Sequence, residues 1–320
     1  MSFCNSSYNP TIEALKLVAQ WIYLIPAITL HILILVAVMG RFKKEYMDSS
    51  FFKFFVLDSL VVTQSAQDPI DLVLQSVLQL LLTTVFYRPA CYLTFLCVPL
   101  STFLGNQPLL LKLLYSLACY CRPAKCSIQI AVSLNRMTCV TFPMNHRKFW
   151  NSYTSGAMII ALLVPFSVIW NVIISQEKVV PMFGGIGIDY DRAVKWASLS
   201  QFNFIMFTMT TILTVIFTLI TIHQMMKMKT RMVHSERVLC IAAMINTLGF
   251  LLVALVQASF AYFPNFLIST TAAYVIQQVV SSEFLCIWSP LTMVLLNSRM
   301  RSQVLGTKHS APVSISPVSF

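Results

Sequence analysis

The chain has 320 residues, of which 57% are hydrophobic and only 10% charged, and a net charge of +11; its mean hydropathy is +0.75. A soluble domain carries about 25% charged residues to solvate its surface, so a water-soluble globular fold is excluded. The 8 Gly and 14 Pro exclude collagen, and 23 Phe, 11 Tyr and 5 Trp exclude a disordered chain.

What remains is a polytopic membrane protein, with room for roughly six to eight helices at about 20 residues per span. The 22 basic residues stand in short clusters between apolar runs, which is how membrane proteins fix their orientation. They form no basic face with interleaved aromatics, so no nucleic-acid partner is expected.

The first apolar run, residues 17–40, holds Pro26 and His31 and leads into Arg41-Phe42-Lys43-Lys44. It is too long for a signal-peptide core and lacks a cleavage site. The positive flank on its far side predicts a signal anchor with residues 1–16 as a short extracellular N-terminus. The sequon Asn5-Ser6-Ser7 makes Asn5 a glycosylation candidate in that tail.

A second span starts near Phe51 and contains the intramembrane acid Asp58. Its far end is blurred by the polar stretch 64–71, in which Asp68-Pro69 favours a turn. Residues 72–105 are again apolar but broken by Arg88-Pro89 and Pro99. They read as the end of the second span plus a long outer loop lying partly on the membrane surface. The third span covers about 110–139 and carries Arg122 and Lys125.

A fourth span covers 152–175 and a fifth 196–226. The uncharged stretch 238–282 is too long for one span; Tyr262-Phe263-Pro264-Asn265 divides it into a sixth and a seventh, the latter ending near Asn297. Fourteen of the 22 basic residues then fall in inner segments, six in outer ones and two (Arg122 and Lys125) in the third span. An inner excess in every inside connection predicts an outside N-terminus, an inside C-terminus and an odd number of spans. A hidden extra helix in 72–105 would invert every later loop. The expected architecture is therefore all-α: a seven-transmembrane helix bundle over 17–298 with a cytoplasmic tail at 299–320.

Topology alone leaves a seven-helix receptor and a small multi-pass transporter open. No repeat relates the two halves, as transporters often show, and no filter-like segment points to a channel.

At the inner end of the third span the chain reads Ser133-Leu134-Asn135-Arg136-Met137-Thr138-Cys139-Val140, then Phe142-Pro143 and Trp150. Here it resembles the nematode serpentine chemoreceptors of class gamma, the Srg family, within the rhodopsin-like seven-helix superfamily. The Phe-rich second span with its Asp58 and the stretch Tyr87-Arg88-Pro89-Ala90-Cys91 extend the likeness over most of the chain. The resemblance implies a chemosensory G-protein-coupled receptor in the plasma membrane of sensory cells. Its partners would be a small-molecule ligand, a heterotrimeric G protein and the lipid bilayer, with no enzyme activity and no cofactor.

By the same resemblance Asn135, Arg136 and Met137 occupy the G-protein-coupling triplet, with Asn in place of the usual acid. From spacing alone Arg136 reads equally as a headgroup anchor at a helix end. Trp288-Ser289-Pro290 with Asn297 is a loose counterpart of the superfamily's seventh-helix motif; only the Pro kink carries over.

Arg122 and Lys125 are the second candidate site. A cation near mid-membrane costs about 2.5–3.5 kcal/mol on insertion scales, so it faces the bundle interior and takes a partner. Asp58 and Glu283 are the acids available. Pairing Glu283 with one cation leaves the other for an acidic or carbonyl-bearing ligand; a purely structural ion-pair cluster is the competing reading.

The remaining motifs carry less. Cys119, Cys121 and Cys126 have neither the partners nor the helical phase of a metal site, and read as buried thiols. Asp58 and Glu283 lack the sequence setting of an intramembrane protease. Gly184-Gly185-Ile186-Gly187 reads as a flexible turn in the outer loop. The superfamily's disulfide to that loop has no cysteine there, which leaves Cys91 or Cys97 with Cys4 as possible pairs.

Overall fold

A computed structural model describes residues 9–37, 82–182, 184–227, 234–262, 285–296 and 298–305. The second span with Asp58, the sequon at Asn5, Glu283 and the end of the tail lie outside these described residues.

Helix α1 runs Pro10–Leu35. It begins seven residues before the apolar run, because the start is set by capping chemistry: the Asn9 side chain accepts from Thr11 N at 3.0 Å and Pro10 occupies the first turn. Glu13, in that first turn, pairs with Lys16 at 2.6 Å, and residues 10–16 of the expected tail belong to the helix.

A π-helical turn, Leu82–Tyr87, passes into the short helix α2, Arg88–Tyr92, and then into α3, Thr94–Gly105. Helix α4, Pro108–Thr141, follows at a bend of 108°. α3 therefore lies across the end of α4, with Phe95, Val98 and Phe103 exposed. This fits a loop segment resting on the membrane surface.

α4 corresponds to the third predicted span. At about 1.5 Å per residue its 34 residues exceed the hydrocarbon thickness, and Pro123 does not interrupt it. Helix α5, Pro143–Leu163, and α6, Phe166–Ile174, form the fourth span, broken at Val164-Pro165. The carbonyl of Leu162 at this break is taken by the Tyr120 hydroxyl at 2.8 Å. α5 starts nine residues before the expected span, so Asn145 to Lys148 are helical rather than a loop.

Between α6 and the next helix the chain forms an antiparallel hairpin of β1, Gln176–Met182, and β2, Gly185–Asp191. The outer-loop reading contained no strands. Of the Gly-rich run only Gly184 is turn; Gly185 and Gly187 lie inside β2. Gly185 is required there because a Cβ would stand 2.0 Å from the Ala90 carbonyl oxygen. The hairpin thus docks backbone to backbone on α2, with Ile186 buried against Ala90, Cys97, Leu104 and Leu111. Its base is tied to the bundle by Lys112 Nζ donating to Ser175 O at 3.3 Å and by the Asn171 amide, which donates to Val194 O and Ala197 O and accepts from Val194 N.

Helices α7, Leu199–Lys227, and α8, His234–Tyr262, match the fifth and sixth spans; the predicted break after Tyr262 lies outside the described residues. α9, Leu285–Leu296, holds Pro290, and α10, Ser298–Leu305, continues into the tail. Around the bundle α1 packs on α9, α9 on α8, α8 on α7, α7 on α4, and α4 on α5 and α6.

The polarity of these helices is inverted relative to a soluble protein. Ile22, Leu219, Leu248 and Leu255 are exposed, while Thr210, Thr214, Asn171 and Gln257 are buried. The bilayer solvates the apolar outside, and backbone and polar side chains must find partners within. Among the described residues three spans are long and apolar enough to cross a membrane (Pro10–Leu35, Pro143–Ile174 and Leu199–Lys227), and the bent pair α3–α4 supplies a fourth.

Candidate functional site

α4 connects the two candidate regions. Near its middle Lys125 is only 7% exposed and Arg122 is half-buried. Both have interactions with the surrounding protein. Whether Glu283 or Asp58 supplies those interactions lies outside the described residues.

Counting along the helix, Tyr115, Cys119, Arg122 and Cys126 share one face. Tyr115 stacks on Tyr190 of β2 with ring centroids 5.9 Å apart and lies within charge range of both Arg122 and Asp189. Cys119 is similarly within range of Arg122 and Glu177. The hairpin therefore brings two carboxylates, Glu177 and Asp189, over the half of α4 between its start and the cations. Sequence reasoning missed this, since a loop without cysteines gave no reason to fold back.

Two further buried side chains were also missed. Asn203 on α7 and Gln257 on α8 are 4% and 2% exposed. Gln257 sits alone in an apolar stretch, which was the available signal; Asn203 follows Ser200 and Gln201 at the start of its helix and gave none.

At the other end of α4, Asn135 is buried and Arg136 and Met137 are half-buried. Arg136 has interactions with neighbouring groups. The triplet is held by a bridge to α5: Trp150 Nε1 donates to Thr138 Oγ1 at 2.8 Å. That hydroxyl lies 3.0 Å from Asn135 O and 3.1 Å from Leu134 O, and 3.4 Å from His146 Nδ1. Trp150 is fully buried, with Phe149 edge-on to it at 5.6 Å. The Thr138–Trp150 contact accounts physically for the spacing of the motif from triplet to Trp, because it locks the second turn of α5 onto the last turn of α4.

The cysteines separate cleanly. Cys97 is disulfide-bonded, to a residue outside the described part of the chain. Cys91 is a free, buried thiol 3.7 Å from Met182 Sδ of the hairpin, which excludes it as the bridged member of the expected pair. Cys119, Cys121 and Cys126 are buried and not disulfide-bonded. Pro290 lies inside α9 and is buried.

This long helix, covered at one end by a hairpin and braced at the other, stands among apolar helices of membrane-spanning length, which marks a multi-pass membrane protein. Residues 17–304 match the family model described as Srg family chemoreceptor. The chain is similar to serpentine receptor class gamma-4 of Caenorhabditis elegans, 36% identical over 100% of this chain and 96% of that protein. It is similar also to class gamma-2 from the same organism, 34% identical over 95% and 88%, and to class gamma-5, 35% identical over 99% and 93%. The chain belongs to the Srg family, and its fold is the seven-transmembrane helix bundle of the serpentine receptors.

Proposed function

We propose that this receptor sits in the plasma membrane of sensory cells, binds a small molecule between its helices, and signals through a heterotrimeric G protein. The N-terminus and the 176–195 hairpin face outside, and the C-terminal tail inside. The seven-transmembrane domain extends over 17–298, between the outer N-terminal segment 1–16 and the tail 299–320. The observation that carries this reading is α4 itself. It is one continuous helix that places Arg122 and Arg136 about 21 Å apart, at about 1.5 Å per residue.

Arg122 and Lys125 attract an acidic or carbonyl-bearing ligand, with Glu283 balancing one of the two charges. Asn135, Arg136 and Met137 meet the G protein. The basic residues Arg147, Lys148 and Lys227 near the same end suit an acidic partner surface.

The test is a G-protein reporter in cells screened with carboxylate and carbonyl compounds. Arg136→Ala is expected to cut signalling at least tenfold at equal surface expression. Arg122→Gln and Lys125→Gln are expected to weaken the potency of an acidic agonist by a similar factor. Wild-type signalling from Arg136→Ala would make Arg136 a headgroup anchor. Ligand-dependent substrate flux without G-protein activation would make the protein a transporter.

A further inference from the structure

The strongest unassigned feature lies in the seam between α4, α7 and α8. Cys126, Phe207, Phe250, Val253 and Ala254 form one buried cluster there. One helical turn nearer the hairpin, Phe207 is succeeded by Asn203 and Val253 by Gln257; on α4 the same step from Cys126 leads to Arg122. Asn203 and Gln257 thus form a polar layer next to that apolar cluster, on its hairpin side.

Their hydrogen bonding sets them apart from their neighbours. The buried threonines of α7 are satisfied by their own helix: Thr210 donates to Met206 O, Thr211 to Phe207 O and Thr214 to Thr210 O, each at 2.8 Å. Asn203 Oδ1 and Gln257 Nε2, by contrast, are buried with no hydrogen-bond partner. A buried polar atom left unpaired is destabilising, and in a bilayer no bulk water offsets it. Leu at either position would avoid that cost, so retaining two carboxamides here points to a partner that arrives from outside the protein.

We propose that Asn203 and Gln257 form a neutral hydrogen-bonding subsite for a carboxamide-bearing ligand. The proposal rests on the reading that ligands bind inside the bundle. An acceptor and a donor facing one layer match a group that itself donates and accepts. The ligand N–H donates to Asn203 Oδ1 and the ligand carbonyl accepts from Gln257 Nε2, while Arg122 borders the same layer and takes any acidic end.

The experiment uses the purified full chain in lipid nanodiscs and reads its Tm. The probes are hexanamide and 2-heptanone, which differ by an amino group in place of a methyl group. Sodium hexanoate serves as a separate probe of the cations. Asn203→Leu, which keeps the branching of the native side chain, and Gln257→Met, which keeps its length, are prepared individually.

The subsite predicts that hexanamide raises the wild-type Tm by 2 °C or more while 2-heptanone does not, and that the shift disappears in both variants. It also predicts that each ligand-free variant melts at or above the wild type, by about 2–4 °C where the whole penalty is relieved. A lower ligand-free Tm in both variants, or failure of both to fold, would overturn the proposal by making the carboxamides structural. Equal shifts from amide and ketone, or an amide shift that survives in the variants, would overturn it too. A hexanoate shift that requires Arg122, without any dependence of hexanamide on Asn203 or Gln257, removes the subsite and leaves the bundle-bound ligand standing. No shift from any of the three probes removes both.

Discussion

The contact between hairpin and α2 offers a sharp perturbation, because it is made by backbone. Replacing Gly185 by Ala puts a Cβ 2.0 Å from the Ala90 carbonyl oxygen and 2.9 Å from Cys91 C and O. Restoring even 3.0 Å to Ala90 requires β2 to move by at least 1 Å, and none of the three obstructing atoms belongs to a flexible side chain. Overpacking of this kind costs about 1–3 kcal/mol, occasionally more, and here the upper end applies because Ile186, next in the strand, is buried in the same cluster. Gly187→Ala is the control: its Cβ meets Met182 Cε and Sδ at 3.0 Å, atoms at the end of an unbranched chain that re-packs readily. In nanodiscs Gly185→Ala is expected to lower Tm by about 6–10 °C and Gly187→Ala by about 2 °C or less, at about 2–4 °C per kcal/mol. Equal losses from the two substitutions, or none from Gly185→Ala, would show that the hairpin does not dock closely on α2.

The Thr138–Trp150 bond is expected to give a coupling of about 0.6–1.5 kcal/mol in a Thr138→Val, Trp150→Phe double-mutant cycle on thermal stability, with Thr138→Val the costlier single change because it strands the buried indole N–H. Additive effects would reduce the pair to simple packing. Cys97→Ser is expected to lower surface expression several-fold and Cys91→Ser to leave it within about twofold, read by labelling intact cells; the reverse order would mean that the free thiol, against Met182, holds the hairpin. Epitope tags at the N-terminus and in the 176–195 hairpin are expected to stain intact cells, and a tag in 227–237 to stain only after permeabilisation. Staining of the last without permeabilisation would overturn the orientation inferred from the basic clusters.

The spans were legible because the bilayer imposes a simple rule on composition, which survives in one sequence as uncharged runs of the right length. The rule marks where a helix is apolar, not where it starts. α1 begins at Pro10 and α5 at Pro143 because Asn9 and the two prolines satisfy helix starts in polar surroundings, upstream of the apolar run. The hairpin escaped for a different reason. β2 alternates (Ile186, Ile188 and Tyr190 against Gly187, Asp189 and Asp191) but β1 does not, and what fixes the pair is Gly185 against Ala90, a contact between segments far apart in sequence.

The site was legible where a charge stands in an apolar run. Lys125 and Arg122 are conspicuous because burying a cation demands compensation. Asn203 and Gln257 stayed hidden because a carboxamide in a span is cheap enough to be ignored when read one residue at a time. The sense of such a residue depends on what its neighbours on other helices already bond to, and that is a property of the packed bundle. The buried threonines of α7 show the contrast: they look equally polar in sequence, yet each turns its hydroxyl back to its own helix and leaves nothing to offer a ligand. An asparagine or glutamine has a longer reach and two opposed functions, and cannot be silenced in the same way. Polarity in a membrane span therefore becomes a functional signal only after self-satisfied groups are subtracted. In the seam between α4, α7 and α8 that subtraction leaves two carboxamides in one layer with Arg122 at its edge.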